Sequence, residues 1–378
     1  MRMRASGTVH WPQIVVVLCC LLLCPVPVLG ADQAEFEEVG SARGWSELRV
    51  YNAGAIDLLA WCGATDTFLA PLRYGRVQVV NIKARTISYV EFGGALGRLH
   101  CSPDGRYIFS SSSQFSDVST GVRVHEYHLR YYDTHTRQLR TVFEGLRGMG
   151  VIIDPALVSP QGKYLVGPRS LGPVVILPGG EQIAVIPADT VRVSWPVDTL
   201  LWTKDDTWLI GEQLTPRFAT DLIVEAMTTK SRQAKRFRQH SHARGSSPHW
   251  VAVDTHRLYY NRSDNAAGGG PLWVADLSAT KPTFRLVTKN VRAFDVSADG
   301  TIAFLRERGV RYEGEDPIIG PDADETVNLI PPGGQEQVLR EASLSRFGSP
   351  AISTNGRLVL LSSDGRSGPF SVLMKDGN

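Results

Sequence analysis

Ser102-Pro103-Asp104-Gly105-Arg106-Tyr107, continuing as Ile108-Phe109-Ser110-Ser111, reads as a tight turn running into a β-strand. Proline presets φ for such a turn, and glycine takes the positive-φ position that other residues avoid. The pattern returns as Ser159-Pro160-Gln161-Gly162-Lys163-Tyr164, Ser297-Ala298-Asp299-Gly300-Thr301-Ile302 and Ser353-Thr354-Asn355-Gly356-Arg357-Leu358. Three looser copies fill the gaps: Gly63-Ala64-Thr65-Asp66-Thr67-Phe68, Thr203-Lys204-Asp205-Asp206-Thr207-Trp208 and Val253-Asp254-Thr255-His256-Arg257-Leu258. The glycine slot then falls at 66, 105, 162, 206, 256, 300 and 356, with spacings of 39, 57, 44, 50, 44 and 56 residues. Periods of that length fit one four-stranded blade each of a β-propeller.

A second hairpin follows each turn, as in 77–82 with 86–92, 129–133 with 138–143, and 272–276 with 283–288. Each unit thus predicts strand a, tight turn, strand b, variable connection, strand c, turn, strand d. No window holds a helical period of useful length. The last unit stops where its turn into strand d belongs, and Glu47-Leu48-Arg49-Val50-Tyr51-Asn52 is a strand without a unit of its own. The expectation is an all-β, seven-bladed β-propeller of four-stranded antiparallel blades, closed by an N-terminal strand that completes the last blade. Closure would remove an exposed sheet edge. The expected division is 1–30 signal peptide, 31–46 lead-in and 47–378 propeller.

These Ser-Pro-Asp-Gly turns resemble the WD-like propeller repeats of TolB-type and related secreted bacterial proteins, over residues 47–378. The resemblance implies a fold, since propellers of this kind serve as binding scaffolds, lyases, lactonases and dehydrogenase subunits alike. The α/β domain that precedes the propeller in TolB has no counterpart here, and there is no room for the hydrolase domain of propeller peptidases.

Arg2 and Arg4, an apolar run from Ile14 to Cys24, and Val28-Leu29-Gly30 before Ala31 read as a secretory leader. Eleven apolar residues are too few to span a bilayer, which takes about 20. The chain has 378 residues with 40 Lys and Arg against 38 Asp and Glu, so losing Arg2 and Arg4 leaves the charges balanced. That argues against a nucleic-acid partner, which calls for a basic surplus. Of five cysteines, Cys19, Cys20 and Cys24 lie in the leader. A lipid anchor on Cys24 is disfavoured by the bulky Leu23 before it. Cys62 and Cys101 share a repeat position in adjacent units and can pair if their Cα atoms lie within about 7 Å.

The a–b turns are short, whereas the b–c connections at 112–121, 213–221, 262–271 and 306–325 are long. Binding residues concentrate on variable loops held by a rigid frame, so function is expected on the b–c face. Phe115, Arg217, Phe218, Arg311 and Tyr312 are its aromatic and arginine candidates for partner contact. Along strand a, the residues one and three before each turn are apolar (Leu99 and Cys101, Trp250 and Ala252, Phe294 and Val296 among them) and are expected to pack between blades. The alternate set holds Arg98, His100, His249 and Asp295, expected at the channel mouth. Those four read either as a ligand or metal pocket or as satisfied polar groups of a water-filled tunnel.

His125-Glu126-Tyr127-His128 lacks the i, i+4 helical spacing of a zinc-protease motif, and His240 with His242 has no third ligand. The basic run Lys230, Arg232, Lys235, Arg236, Arg238 and Arg244 reads as a charged outer edge or as a dock for an anionic partner. The acidic stretch Glu313, Glu315, Asp316, Asp322, Asp324 and Glu325 lacks the spacing of a calcium loop. Asn261-Arg262-Ser263 is a glycosylation sequon. The mature chain contains no nucleophile elbow, phosphate-binding glycine loop or Cys-x-x-Cys pair, so no cofactor is expected. The reading is a secreted or periplasmic, monomeric propeller that binds a protein or envelope component within a complex. A lyase- or lactonase-like enzyme at the channel and a subunit of a periplasmic redox complex are the alternatives.

Overall fold

The turn at 102 is held by its own side chains. Ser102 N donates to Tyr107 O and Gly105 N to Ser102 O, both at 2.8 Å. Tyr107 N donates to Ser102 Oγ at 2.9 Å, and Arg106 N to the Asp104 carboxylate at 3.0 Å. Gly105 takes φ +73°. The main-chain bonds and the hydroxyl acceptor recur at Ser159, Thr203 and Ser353. The repeat is therefore a repeated hydrogen-bonding unit that fixes where strand a ends and strand b begins.

The computed structural model describes residues 36–42, 44–51, 60–63, 65–93, 95–117, 123–146, 157–167, 171–187, 200–214, 221–229, 234–240, 249–254, 256–261, 269–276, 278–279, 283–313, 316–342, 349–361 and 370–376. Strands β1 (Phe36–Ala42) and β2 (Trp45–Val50) come first. Unit one is β3 (Ala60–Trp61), β4 (Thr67–Pro71), β5 (Arg76–Asn81) and β6 (Thr86–Glu91). Unit two is β7 (Ala95–Cys101), β8 (Tyr107–Asp117), β9 (Arg123–Asp133) and β10 (Gln138–Leu146). Unit three is β11 (Leu157–Val158), β12 (Tyr164–Gly167), β13 (Val174–Ile176) and β14 (Gln182–Pro187). Unit four is β15 (Leu200–Trp202), β16 (Trp208–Leu214), β17 (Asp221–Thr228) and β18 (Ala234–His240). Unit five is β19 (His249–Asp254), β20 (Arg257–Asn261), β21 (Gly270–Ala275) and the first half of β22 (Phe284–Val296). Unit six is the second half of β22, then β23 (Ile302–Glu313), β24 (Asp316–Ile330) and β25 (Gln337–Ala342). Unit seven is β26 (Ala351–Ile352), β27 (Leu358–Leu361) and β28 (Phe370–Lys375).

Among the described residues unit seven has three strands of its own, and β2 supplies a fourth. It pairs antiparallel with β28 from Trp45↔Lys375 to Val50↔Phe370. The predicted closing strand exists, starting two residues earlier than read. The lead-in adds β1 outside it, a fifth strand that no sequence pattern announced. Leu48 and Val50 of β2 share one core with Phe68, Ala70 and Val80 of unit one and with Leu358, Leu360 and Phe370 of unit seven. Edge-on aromatic contacts link Trp61 to Phe68 and Phe68 to Phe370, each with centroids 5.7 Å apart. Further buried clusters join units one and two, two and three, three and four, five and six, and six and seven. The inner strands β15 and β19 adjoin between units four and five. The fold is an all-β propeller.

Four features depart from the sequence pattern. Cys62 N bonds Thr67 O at 2.9 Å, so the turn of unit one opens at Cys62, one residue early. There the positive φ sits on Gly63, whose Cβ, if present, would lie 2.1 Å from Pro103 O of unit two. In unit five Ala252 pairs with Leu258 but Asp254 with Arg257, which leaves a two-residue turn and a bulge at Val253. Val251 and Val253 pack in the core between units five and six, and the side chains of Trp250 and Ala252 lie outside the described residues. Unit three is not wholly antiparallel: its order is β11-β12-β14-β13, with β12 and β14 parallel, because the short β13 takes the outer place. Finally, β22 serves two units without a break, its outer half pairing with β21 and its inner half with β23.

Cys62 and Cys101 form a disulfide across units one and two, with Cα atoms 4.7 Å apart and a sequence separation of 39. By loop-closure entropy a link of that span stabilises by about 4 kcal/mol. We predict that dithiothreitol, or Cys62→Ala with Cys101→Ala, lowers unfolding stability by about 2–4 kcal/mol. Denaturant titration with and without reductant checks this; superimposable curves would show that the bond contributes nothing.

Candidate functional site

Each blade face is covered by a neighbouring blade, so alternate residues of strand a address the two neighbours. Cys101, Val158, Trp202, Val296 and Ile352, each one before its turn, all pack toward the preceding unit. In units two, six and seven the residue two before the turn faces the following unit. His100 Nε2 lies 2.9 Å from Ser159 O of unit three. Asp295 accepts from Ile352 N of unit seven at 2.9 Å and from its own Val296 N at 2.7 Å. These two groups therefore act as bridges between the inner strands of neighbouring blades. The backbones of Arg98 and His249 lie on β7 and β19, and their side chains are outside the described residues. Nothing described brings the four together.

Lys204 extends this network. Its Nζ lies 3.5 Å from Asp295 Oδ1 and also donates to Val296 O, so unit four reaches unit six past the inner end of unit five. Both side chains are about one quarter exposed. Sequence reading passed over Lys204 because it belongs to a loose copy of the turn.

Asp206 was passed over for the same reason. It occupies a glycine slot with φ +62° and is 2% exposed. In the turn at 159, Gln161 stands where other copies carry Asp, and Asp206 of the next unit supplies the carboxylate. It accepts from Ser159 Oγ at 2.6 Å, Gln161 N at 2.8 Å and Lys163 N at 3.4 Å. Burial raises its pKa above the ordinary 3.8, against the pull of those bonds and of Lys163. The missing acid at 161 and the surplus acid at 206 were the available signal.

On the opposite face, two expected loops are ribbons. β8 and β9 stay paired out to Asp117↔Arg123, and β23 and β24 out to Glu313↔Asp316. Phe115 sits opposite His125, Arg311 opposite Ile318 and Tyr312 opposite Pro317. Arg217 and Phe218 lie outside the described residues. The β23–β24 arm is tied at its base by Arg292, whose Nε lies 2.8 Å from Glu325 Oε1 and 3.2 Å from Glu307 Oε1. Asn261, the sequon residue, is buried and donates to Gly270 O at 3.2 Å and Val291 O at 3.0 Å, so it pins the wide connection of unit five. His125 and His128 lie on strand β9 rather than on a helix.

No family model matches the chain, and no curated protein does. Among similar solved structures is the β-propeller domain of Cps50 (Swd1) from Myceliophteria thermophila, at 11% identity and a TM-score of 0.49, covering 90% of this chain and 99% of that one. The fold assignment rests on strand pairing and blade packing, and that likeness adds nothing to it. Among the described residues, no helix is long and apolar enough to cross a membrane.

Asp206 holds its proton more tightly folded than unfolded, so its contribution to stability falls as pH rises from 3.8 through its raised folded value. We predict that Asp206→Asn, which keeps an acceptor and tolerates positive φ, removes this pH dependence and is neutral or stabilising at pH 7. Asp206→Ala should cost about 1–3 kcal/mol by stranding the donors of the neighbouring turn. Unfolding curves of the three proteins between pH 4 and 8 check both. Equal losses for Asn and Ala would refute the assignment.

Proposed function

We propose that this protein is a secreted or periplasmic propeller of seven blades, akin to the TolB-type repeats, that binds a protein or cell-envelope component without catalysing a reaction. The asymmetry of the two faces carries this reading. On one face the a–b turns are interlocked: Thr354 Oγ1 donates to Gly63 O at 2.7 Å, Ala298 N to Thr354 O at 3.1 Å, and Asp206 reaches the turn at 159. On the other, two ribbon arms extend from the blades. A rigid frame presenting arms suits partner recognition. The leader-like residues 1–30 and the Cys62–Cys101 disulfide support an oxidising compartment outside the cytoplasm.

Channel chemistry is the weaker reading, because His100 and Asp295 already bond main-chain groups of neighbouring blades. The arm candidates are Phe115, Arg311 and Tyr312, with Arg217 and Phe218 on the unit-four connection.

Cross-linking and affinity capture of the mature chain from its native source should yield one stoichiometric partner, joined to residues of the b–c face. Arg311→Ala combined with Tyr312→Ala should then weaken that partner at least about tenfold, as loss of an interface anchor does. Undiminished binding by the double variant, or capture of the chain alone, would count against the scaffold reading.

A further inference from the structure

Asn355-Gly356 is the one Asn-Gly pair in the chain, and it lies in the turn of unit seven, beside the seam of the ring. The fold dictates both residues. Gly356 has φ +69°, and a Cβ there would lie 3.1 Å from Thr301 Oγ1 and 3.3 Å from Asp299 Oδ2 of unit six, so glycine is required. Position 355 must accept bonds: Asn355 Oδ1 takes one from Ser353 Oγ at 2.8 Å and one from Arg357 N at 3.1 Å. Asp104 and Asp299 hold the same slot in units two and six. Each accepts from its serine hydroxyl and from the main-chain N two residues on. The slot needs one side-chain oxygen, which a carboxylate supplies as well as an amide.

Such a pair carries its own chemistry, because glycine puts no side chain in the way of its nitrogen. The Gly356 nitrogen attacks Asn355 Cγ, the N–Cγ bond forms, and the nitrogen gives its proton to solvent base. The Cγ–Nδ2 bond then breaks, and Nδ2 takes a proton from water and leaves as ammonia. Water opens the resulting five-membered imide. Cleavage at Cγ gives aspartate on an unchanged main chain, and cleavage at the main-chain carbonyl carbon gives isoaspartate, with a main chain one carbon longer. The closed turn opposes the first step. Gly356 N is held by Ser353 O at 2.9 Å, and Oδ1 is pinned from two sides. The turn is itself anchored to both neighbours, by Thr354 Oγ1 to Gly63 O at 2.7 Å and by Ala298 N to Thr354 O at 3.1 Å. Asn355 is exposed, so water and base reach it as soon as the turn opens.

We infer that Asn355 is a site of spontaneous deamidation controlled by opening of the unit-seven turn, and that its aspartate product rebuilds the turn while isoaspartate does not. Aspartate at 355 repeats the bonding of Asp104 and Asp299. Isoaspartate moves the carboxylate and lengthens the span, so the bonds from Ser353 Oγ and from Gly356 N to Ser353 O no longer form together. Modified molecules therefore divide into closed rings with one added negative charge and rings loosened at the seam.

The test ages the full chain at mildly alkaline pH, folded and in concentrated guanidinium chloride, and follows the tryptic peptide 347–357 by mass spectrometry. Conversion is expected at least about tenfold more slowly in the folded protein, because the turn must open first. Thr354→Val, which removes the hydroxyl bond to Gly63 O, should quicken folded-state conversion at least about threefold and leave the denatured rate unchanged. Asn355→Asp should melt within about 3 °C of wild type. In the aged protein, limited proteolysis should consume the isoaspartate molecules first. A smaller gap between folded and denatured rates, or no acceleration in Thr354→Val, would overturn control by the turn. A larger drop in the melting point of Asn355→Asp, or equal digestion of the two products, would overturn their division.

Discussion

The pairing of β2 with β28 is the constraint on which the rest of the molecule depends. Units one and seven each have one face with no neighbour along the chain. Those faces carry Phe68, Ala70 and Val80 on one side and Leu358, Leu360 and Phe370 on the other. A ring brings them together, and the six paired residues of β2 hold it shut. Closure is reinforced across the seam by Trp61 Nε1, which donates to Ala351 O at 3.0 Å, and at the outer edge by Arg340, which bonds Glu47 at 2.9 Å and Ser371 at 3.1 Å. The hydrophobic effect supplies the drive, and the hydrogen-bonded strand supplies the register.

Much of this architecture was legible because glycine and proline mark it. The turns at 102, 159, 297 and 353 were placed correctly from four or five residues each, and Thr203 from its place in the spacing. Where those markers are missing the register slipped. Unit one opens at Cys62 because its positive φ comes at Gly63, outside the slot, and unit five turns in two residues through a bulge. The exchange of β13 and β14 could not be read at all, since both orders use the same strands and the same turn.

The site was less legible than the fold, for a geometrical reason. Alternation along a strand gives two faces but not what covers them. In a radial array of sheets both faces meet protein, so a polar residue such as Asp295 signals contact with a neighbour as readily as an opening to water. Lys204 and Asp206 act across blade boundaries, which no local pattern reports.

The uninterrupted β22 has a mechanical consequence. Val291, fully buried, is paired to Gly270 in one blade and to Arg306 in the next. A single strand of 13 residues runs through both. Twisting unit five relative to unit six would break ladder bonds on both sides of that residue at once. The orientation of one blade is therefore coupled through this backbone to that of the next. The β23–β24 arm springs from the same ladder, since β23 pairs with both β22 and β24, so its direction is tied to that of both blades.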